Sequence, residues 1–178
     1  MNVTVFPSCA RGKVTAPPSK SMAHRALICS ALAGGGTVCN VAFSKDVEAT
    51  IGCLQALGVA VKISGDTVEV GRFSPENVPD DAVLYCNESG STLRFLLPLC
   101  MTVGKPIAFT GSGRLFERPL AVYEQIALEK GVGFCKKSDR ITVCGQLSAG
   151  EYTLCGNISS QFITGLLFAL TTLSGKAV

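Results

Sequence analysis

A chain of 178 residues, 47% hydrophobic and only 16% charged, can bury one substantial core; this excludes a disordered polypeptide and is short for two complete lobes. Its net charge of +3 comes from 16 basic and 13 acidic residues scattered without a block or an aromatic-interleaved patch, which argues against nucleic acid and suits small anions held by a few convergent side chains. Nine cysteines without a Cys-x-x-Cys pair and a single histidine, His24, form no zinc pattern, so the cysteines read as reduced core residues of a cytoplasmic protein without a structural metal.

The opening MNVTVFPSCARGKV has no uninterrupted apolar stretch to act as a secretory signal. From residue 18 the chain reads as a helix, PSKSMAHRALICSALA (18–33), opened by small polar residues. A short strand GTVCNVA (36–42), an amphipathic helix opened by Asp46 and closed by Gly58, and two alternating strands around Gly65-Asp66 follow. The same order then recurs: helix ESGSTLRFLLPLCMT (88–102), strand KPIAFTG (105–111), a helix begun by Arg118 and Pro119 and closed by Gly131, and a hairpin around Ser138-Asp139. A third opening helix, ISSQFITGLLFALTT (158–172), precedes GKAV (175–178), the beginning of a strand. Its apolar core FITGLLFALTTL (162–173) is too short for a bilayer and reads as a buried helix.

The helix-opening segments lie 88 − 18 = 70 and 158 − 88 = 70 residues apart, an internal repeat. Counting the strand that enters each unit, the plan is βαβαββ, an α/β (α+β) architecture with helices packed against mixed sheets. The third unit breaks off before its second helix and hairpin, so the expectation is a fragment whose residues 14–178 form a lobe truncated in its third unit.

A helix N-terminus offers unpaired N–H groups and a positive dipole end, and three such ends in equivalent repeat positions can point at one anion. At the first, Lys20 supplies a mobile charge, Ser21 a hydroxyl and Arg25, one turn on, a planar fork; an ordinary serine-capped helix with two solvated cations fits the same residues. At the second, Gly90 in Ser89-Gly90-Ser91-Thr92 lets a ligand approach the backbone, although a plain turn needs the same residue. At the third, Ser159, Ser160 and Gln161 carry two hydroxyls and an amide, which also serve simple capping. Arg118 can be a solvated surface residue, Asp46 an N-cap, and Arg94 and Arg114 structural ion-pair partners.

PSKSMAHRAL, ESGSTLR, FERP and ISSQF, in this order and spacing, resemble the signature segments of the EPSP synthase family, and four motifs in register across most of the chain make the likeness specific. The resemblance implies two lobes of three βαβαββ units each, an active site in the cleft between them, and a strand over residues 1–13 that belongs to the other lobe. It implies that the 5-hydroxyl of shikimate 3-phosphate adds to phosphoenolpyruvate and that phosphate is then expelled, without metal or organic cofactor.

Carried onto this sequence, the likeness gives Lys20, Ser21, Arg25, Ser159, Ser160 and Gln161 to shikimate 3-phosphate, and Lys20, Gly90, Arg118 and Gln161 to phosphoenolpyruvate. Lys20 takes the catalytic role, and Asp46 and Arg94 support the site. An Asp, a Glu and a Lys of the family's acid–base machinery belong to the C-terminal lobe, so the fragment is expected to need that lobe for activity. Glu88 departs from the family, where many members carry Asn, and a carboxylate beside an anion pocket has to point away from it. Two other readings stay open: the related UDP-N-acetylglucosamine enolpyruvyl transferase, which opens with Lys-Asn in place of Lys20-Ser21, and an anion-binding module without chemistry.

Overall fold

Serine hydroxyls start the first two helices of the computed structural model, which describes residues 3–7, 9 and 11–177. Ser19 accepts the Met22 N–H at 3.3 Å and opens α1 (Lys20–Leu32), whose Ala23, His24, Leu27, Ile28 and Ala31 form one buried stripe. After β1 (Gly36–Val38), Ser44 caps α2 (Lys45–Ala56) through the Val47 N–H at 3.4 Å. The strand expected over 36–42 is therefore short, because Asn40 adopts a φ of 57° that no strand continues. Strands β2 (Val61–Ser64) and β3 (Thr67–Val70) close the unit as an antiparallel sheet in the order β1-β3-β2.

The second unit repeats the plan with its entering strand in place. β4 (Val83–Tyr85) leads into α3 (Gly90–Cys100), capped by Ser89, then β5 (Ile107–Thr110), α4 (Ala121–Glu129), β6 (Gly133–Lys136) and β7 (Arg140–Cys144). The sheet order β4-β5-β7-β6, with β4 and β5 parallel and the other pairs antiparallel, is the mixed sheet expected. Both second helices end where Gly58 (φ 82°) and Gly131 (φ 69°) take the left-handed turn that residues with a Cβ rarely adopt. The third unit contributes α5 (Ser160–Leu170), and a single parallel bridge, Gly150 to Ala177, reproduces the β4–β5 relation. Val178 lies outside the described residues. So do residues 1, 2, 8 and 10 of the expected crossing strand, and residues 3–7, 9 and 11–13 form no strand.

Helix α3 is the axis of the core, with nine buried residues from Gly90 to Cys100, and it packs most extensively on α5. Pro98 sits inside it and has no N–H, so the Arg94 carbonyl four residues earlier loses its helical donor. The Tyr123 hydroxyl of α4 fills that role at 2.8 Å and lies 3.0 Å from the Phe162 carbonyl of α5, while its ring meets Phe162 edge to face at 5.0 Å. Burial pushes the Tyr123 phenol well above its ordinary range, so it stays a donor. Tyr123→Phe is expected to strand the Arg94 oxygen and lower stability by about 2 kcal/mol, measured by denaturant unfolding.

The cysteines correct the sequence reading. Cys53, Cys86 and Cys100 are buried, but Cys9, Cys29, Cys39, Cys135, Cys144 and Cys155 are exposed. Apolar neighbours in sequence do not bury a residue on a short strand whose side chains alternate between core and solvent, as Cys135 and Cys144 illustrate on β6 and β7.

Candidate functional site

The first turns of α1, α2 and α3 are tied together by polar contacts. Lys20, half-exposed at the start of α1, forms an ion pair with Asp46 at 2.7 Å. Asp46 is not the cap expected of it, since Ser44 takes that role; it stands on the first turn of α2, where a carboxylate also complements the helix dipole. The backbone carbonyl of Asp46 in turn accepts the Thr92 hydroxyl of α3 at 3.3 Å.

Arg25 reaches from α1 towards α5. Its Nη1 donates to the Ser21 carbonyl at 3.0 Å, its Nη2 lies 3.5 Å from Thr164 Oγ1, and the guanidinium sits over the Phe95 ring at 4.9 Å. These contacts hold the fork rigid on the first two turns. Ser21 and Ser160 are exposed at the starts of their helices, and Ser159 caps α5 by accepting the Gln161 N–H at 3.2 Å.

Gln161 closes the gap between α5 and α3. Its Oε1 accepts from Arg94 Nη1 at 2.8 Å and its Nε2 donates to Ser91 Oγ at 2.8 Å, so the amide orientation is fixed and one N–H is left over. Arg94 also stacks over the Phe162 ring at 5.1 Å. Burial, and then the charge of Arg118, press its pKa downward.

Arg118 does not begin a helix. It closes the 3-10 turn Leu115–Glu117 in extended conformation (φ −67°, ψ 142°), as the following Pro119 demands, and α4 starts only at Ala121. Its guanidinium lies against Gly90 instead: a Cβ there would come within 2.6 Å of Arg118 Nη1. The space that Gly90 opens at the head of α3 is thus taken up by a cation. The carboxylate of Glu88 packs against the bare Cα of Gly113.

Lys20, Arg25, Arg94 and Arg118, with the heads of α1, α3 and α5, thereby belong to one connected network in which Asp46 supplies a carboxylate to Lys20. The arrangement can bind a multiply charged anion and can stabilise negative charge that develops on it. The groove of about 850 Å³ between α4 and β6, lined by Phe116, Glu124, Leu128 and Lys136 among others, lies apart from this network. Sequence reasoning missed Ser91, Thr92 and Thr164, which bridge the helices; Ser91 and Thr92 stood inside a quoted motif, whereas nothing local marks Thr164.

A sequence model of the family described as EPSP synthase (3-phosphoshikimate 1-carboxyvinyltransferase) matches residues 7–178. The chain is 45% identical over 178 residues to the 3-phosphoshikimate 1-carboxyvinyltransferase of Clostridium kluyveri, a match covering 98% of this chain and 42% of that protein. It is likewise 45% identical over 185 residues to the Clostridium beijerinckii protein of the same name, covering 99% of this chain and 42% of that one. Among solved structures, an EPSP synthase from Acinetobacter baumannii shares the fold with a TM-score of 0.76 at 24% identity, over 89% of this chain and 37% of that chain. The chain thus spans about 42% of the length of these curated relatives. Repeat plan, motif order and sequence similarity agree: this chain belongs to the EPSP synthase family.

Proposed function

We propose that this chain forms the part of an enolpyruvyl transferase that grips shikimate 3-phosphate and phosphoenolpyruvate, within a cytoplasmic enzyme of aromatic amino acid biosynthesis. The observation that carries the reading is the joining of three helix heads by Lys20–Asp46, Arg25–Thr164 and Arg94–Gln161–Ser91, since a scattered set of cations could not hold one guest. Ser21, Arg25, Ser159, Ser160 and Gln161 hold the phosphorylated ring. Gly90, Arg118 and Gln161 hold phosphoenolpyruvate, and Lys20 contacts both, leaving Asp46 as its resting partner.

In the reaction, the 5-hydroxyl oxygen bonds to C2 of phosphoenolpyruvate while C3 gains a proton, and the tetrahedral product then loses phosphate and a methyl proton to restore the vinyl group. Lys20 acts as the catalytic cation by countering charge that grows as the phosphate departs. The remaining length of the relatives supplies a second lobe, whose acid and base groups move the protons.

Calorimetric titration of the chain with shikimate 3-phosphate tests this. One equivalent is expected to bind, and Arg25→Ala to weaken binding by about tenfold or more, as loss of a bidentate charged hydrogen bond requires. Equal indifference of the wild type and Arg25→Ala to the ligand would sink the reading. A response to UDP-N-acetylglucosamine alone would transfer the assignment to the sister transferase.

A further inference from the structure

Beneath the three helix heads runs a line of buried hydroxyls that ends on the chain's only histidine. His24 Nδ1 on α1 lies 2.7 Å from Thr50 Oγ1 on α2, and Thr50 Oγ1 lies 2.7 Å from Thr92 Oγ1 on α3. The Thr92 hydroxyl reaches Ser89 Oγ at 2.7 Å and the Asp46 carbonyl at 3.3 Å. Ser89 Oγ accepts the Thr92 N–H at 3.2 Å and so caps α3. Exposure of the four side-chain-bearing residues does not exceed 1%, so water does not compete for these bonds.

A hydroxyl carries one proton, and a carbonyl only accepts, which fixes the direction of the line. Thr92 shares its one proton between Ser89 Oγ and the Asp46 carbonyl, so it accepts from Thr50, and Thr50 accepts from an Nδ1–H on His24. The other ring nitrogen, Nε2, is buried and has no partner among the described residues. In this direction it is a bare lone pair; reversal would bury an unpaired N–H and leave the Asp46 carbonyl without the Thr92 donor. Lys20, Asp46 and Arg25 are the charged groups around the ring, and Thr50 and Phe95 pack against it, the latter edge-on at 6.4 Å. Burial outweighs Asp46 and lowers the His24 pKa from 6.5 to about 4, with Lys20 and Arg25 acting in the same direction.

We propose that His24 is a positioning residue for the anion site: as the neutral Nδ1–H tautomer it orders Thr50, Thr92 and Ser89, and so sets the head of α3, with Gly90, against Lys20 and Asp46. The role rests on the reading that these heads bind substrate anions. His24 touches no substrate and moves no proton in the reaction.

A single histidine makes the tautomer directly observable by long-range ¹H–¹⁵N NMR of the ¹⁵N-labelled chain. A protonated Nδ1 and unprotonated Nε2 at pH 7 is the expected result; an Nε2–H tautomer or an imidazolium overturns the proposal. For the positioning role, Thr50→Val keeps the shape of the side chain and cuts the line, and shikimate 3-phosphate affinity is expected to fall about tenfold. His24→Asn, whose amide can still donate to Thr50, is expected to bind within about twofold of wild type, whereas His24→Phe is not.

A purely structural role predicts lower melting temperatures with unchanged affinity well below the melt, and that outcome refutes positioning. If the wild-type chain takes up no shikimate 3-phosphate, the functional reading fails with it, whatever tautomer the spectrum shows. If the wild type binds and Thr50→Val binds equally, only the positioning role fails.

Discussion

Gly165→Ala is expected to lower the stability of this chain by about 3 kcal/mol or more, a fall of roughly 6–12 °C in melting temperature. The argument starts at Pro98, which frees the Arg94 carbonyl of α3, and continues through Gly165, whose missing side chain lets α5 close on that oxygen. A Cβ at position 165 would fall far inside van der Waals contact with the Arg94 carbonyl and with the Tyr123 hydroxyl that donates to it. Neither obstacle is the loose end of an exposed side chain, so relief requires α5 to move off α3. The helix pair with the most extensive contact in the fold then loses its fit, and Gln161, carried on α5, loses Arg94 and Ser91 with it. Thermal unfolding decides the matter: a melting temperature within about 2 °C of wild type would mean that the two helices are not packed as closely as their backbones indicate.

Gly90→Ala is expected to do the opposite, leaving stability within about 0.5 kcal/mol of wild type while weakening phosphoenolpyruvate binding about tenfold. The added methyl meets Arg118 Nη1 at 2.6 Å, and Arg118 is an exposed, flexible side chain that can swing aside. Alanine is also the better helix former, so α3 itself gains slightly. What changes is the place of the guanidinium, which leaves the head of α3 where its charge would meet a carboxylate or phosphate. Titration with phosphoenolpyruvate in the presence of shikimate 3-phosphate, beside a melting curve, separates the two quantities. A drop in stability with affinity preserved would reverse the assignment.

Much of the plan was legible in the sequence because each unit opens with the same local chemistry, a serine that can cap followed by small residues and an apolar helix. Lys20, Arg25, Gly90 and Gln161 fall within those openings, and the fold connects them as the repeat implied. Asp46 and Arg118 were misplaced for a shared reason. Several residues near a helix start can cap it, and Ser44 outcompetes Asp46; a 3-10 turn ahead of α4 shifts the register, leaving Arg118 outside. The orientation of Gln161 depends on Arg94, 67 residues away in sequence, and the partner of the Arg94 carbonyl depends on a tyrosine of another helix. Such pairings depend on how helices stack, which hydrophobic spacing along one helix does not encode.

The closeness of Arg94 and Arg118 also has a meaning for folding. After burial, the charge of Arg118 is what disfavours the charge on Arg94, so these two guanidinium groups repel one another. Folding therefore proceeds against a modest internal pressure that an incoming anion relieves. The affinity of such an anion includes the relief of that repulsion as well as the contacts it makes, and mobile ions in solution weaken the repulsion by screening it.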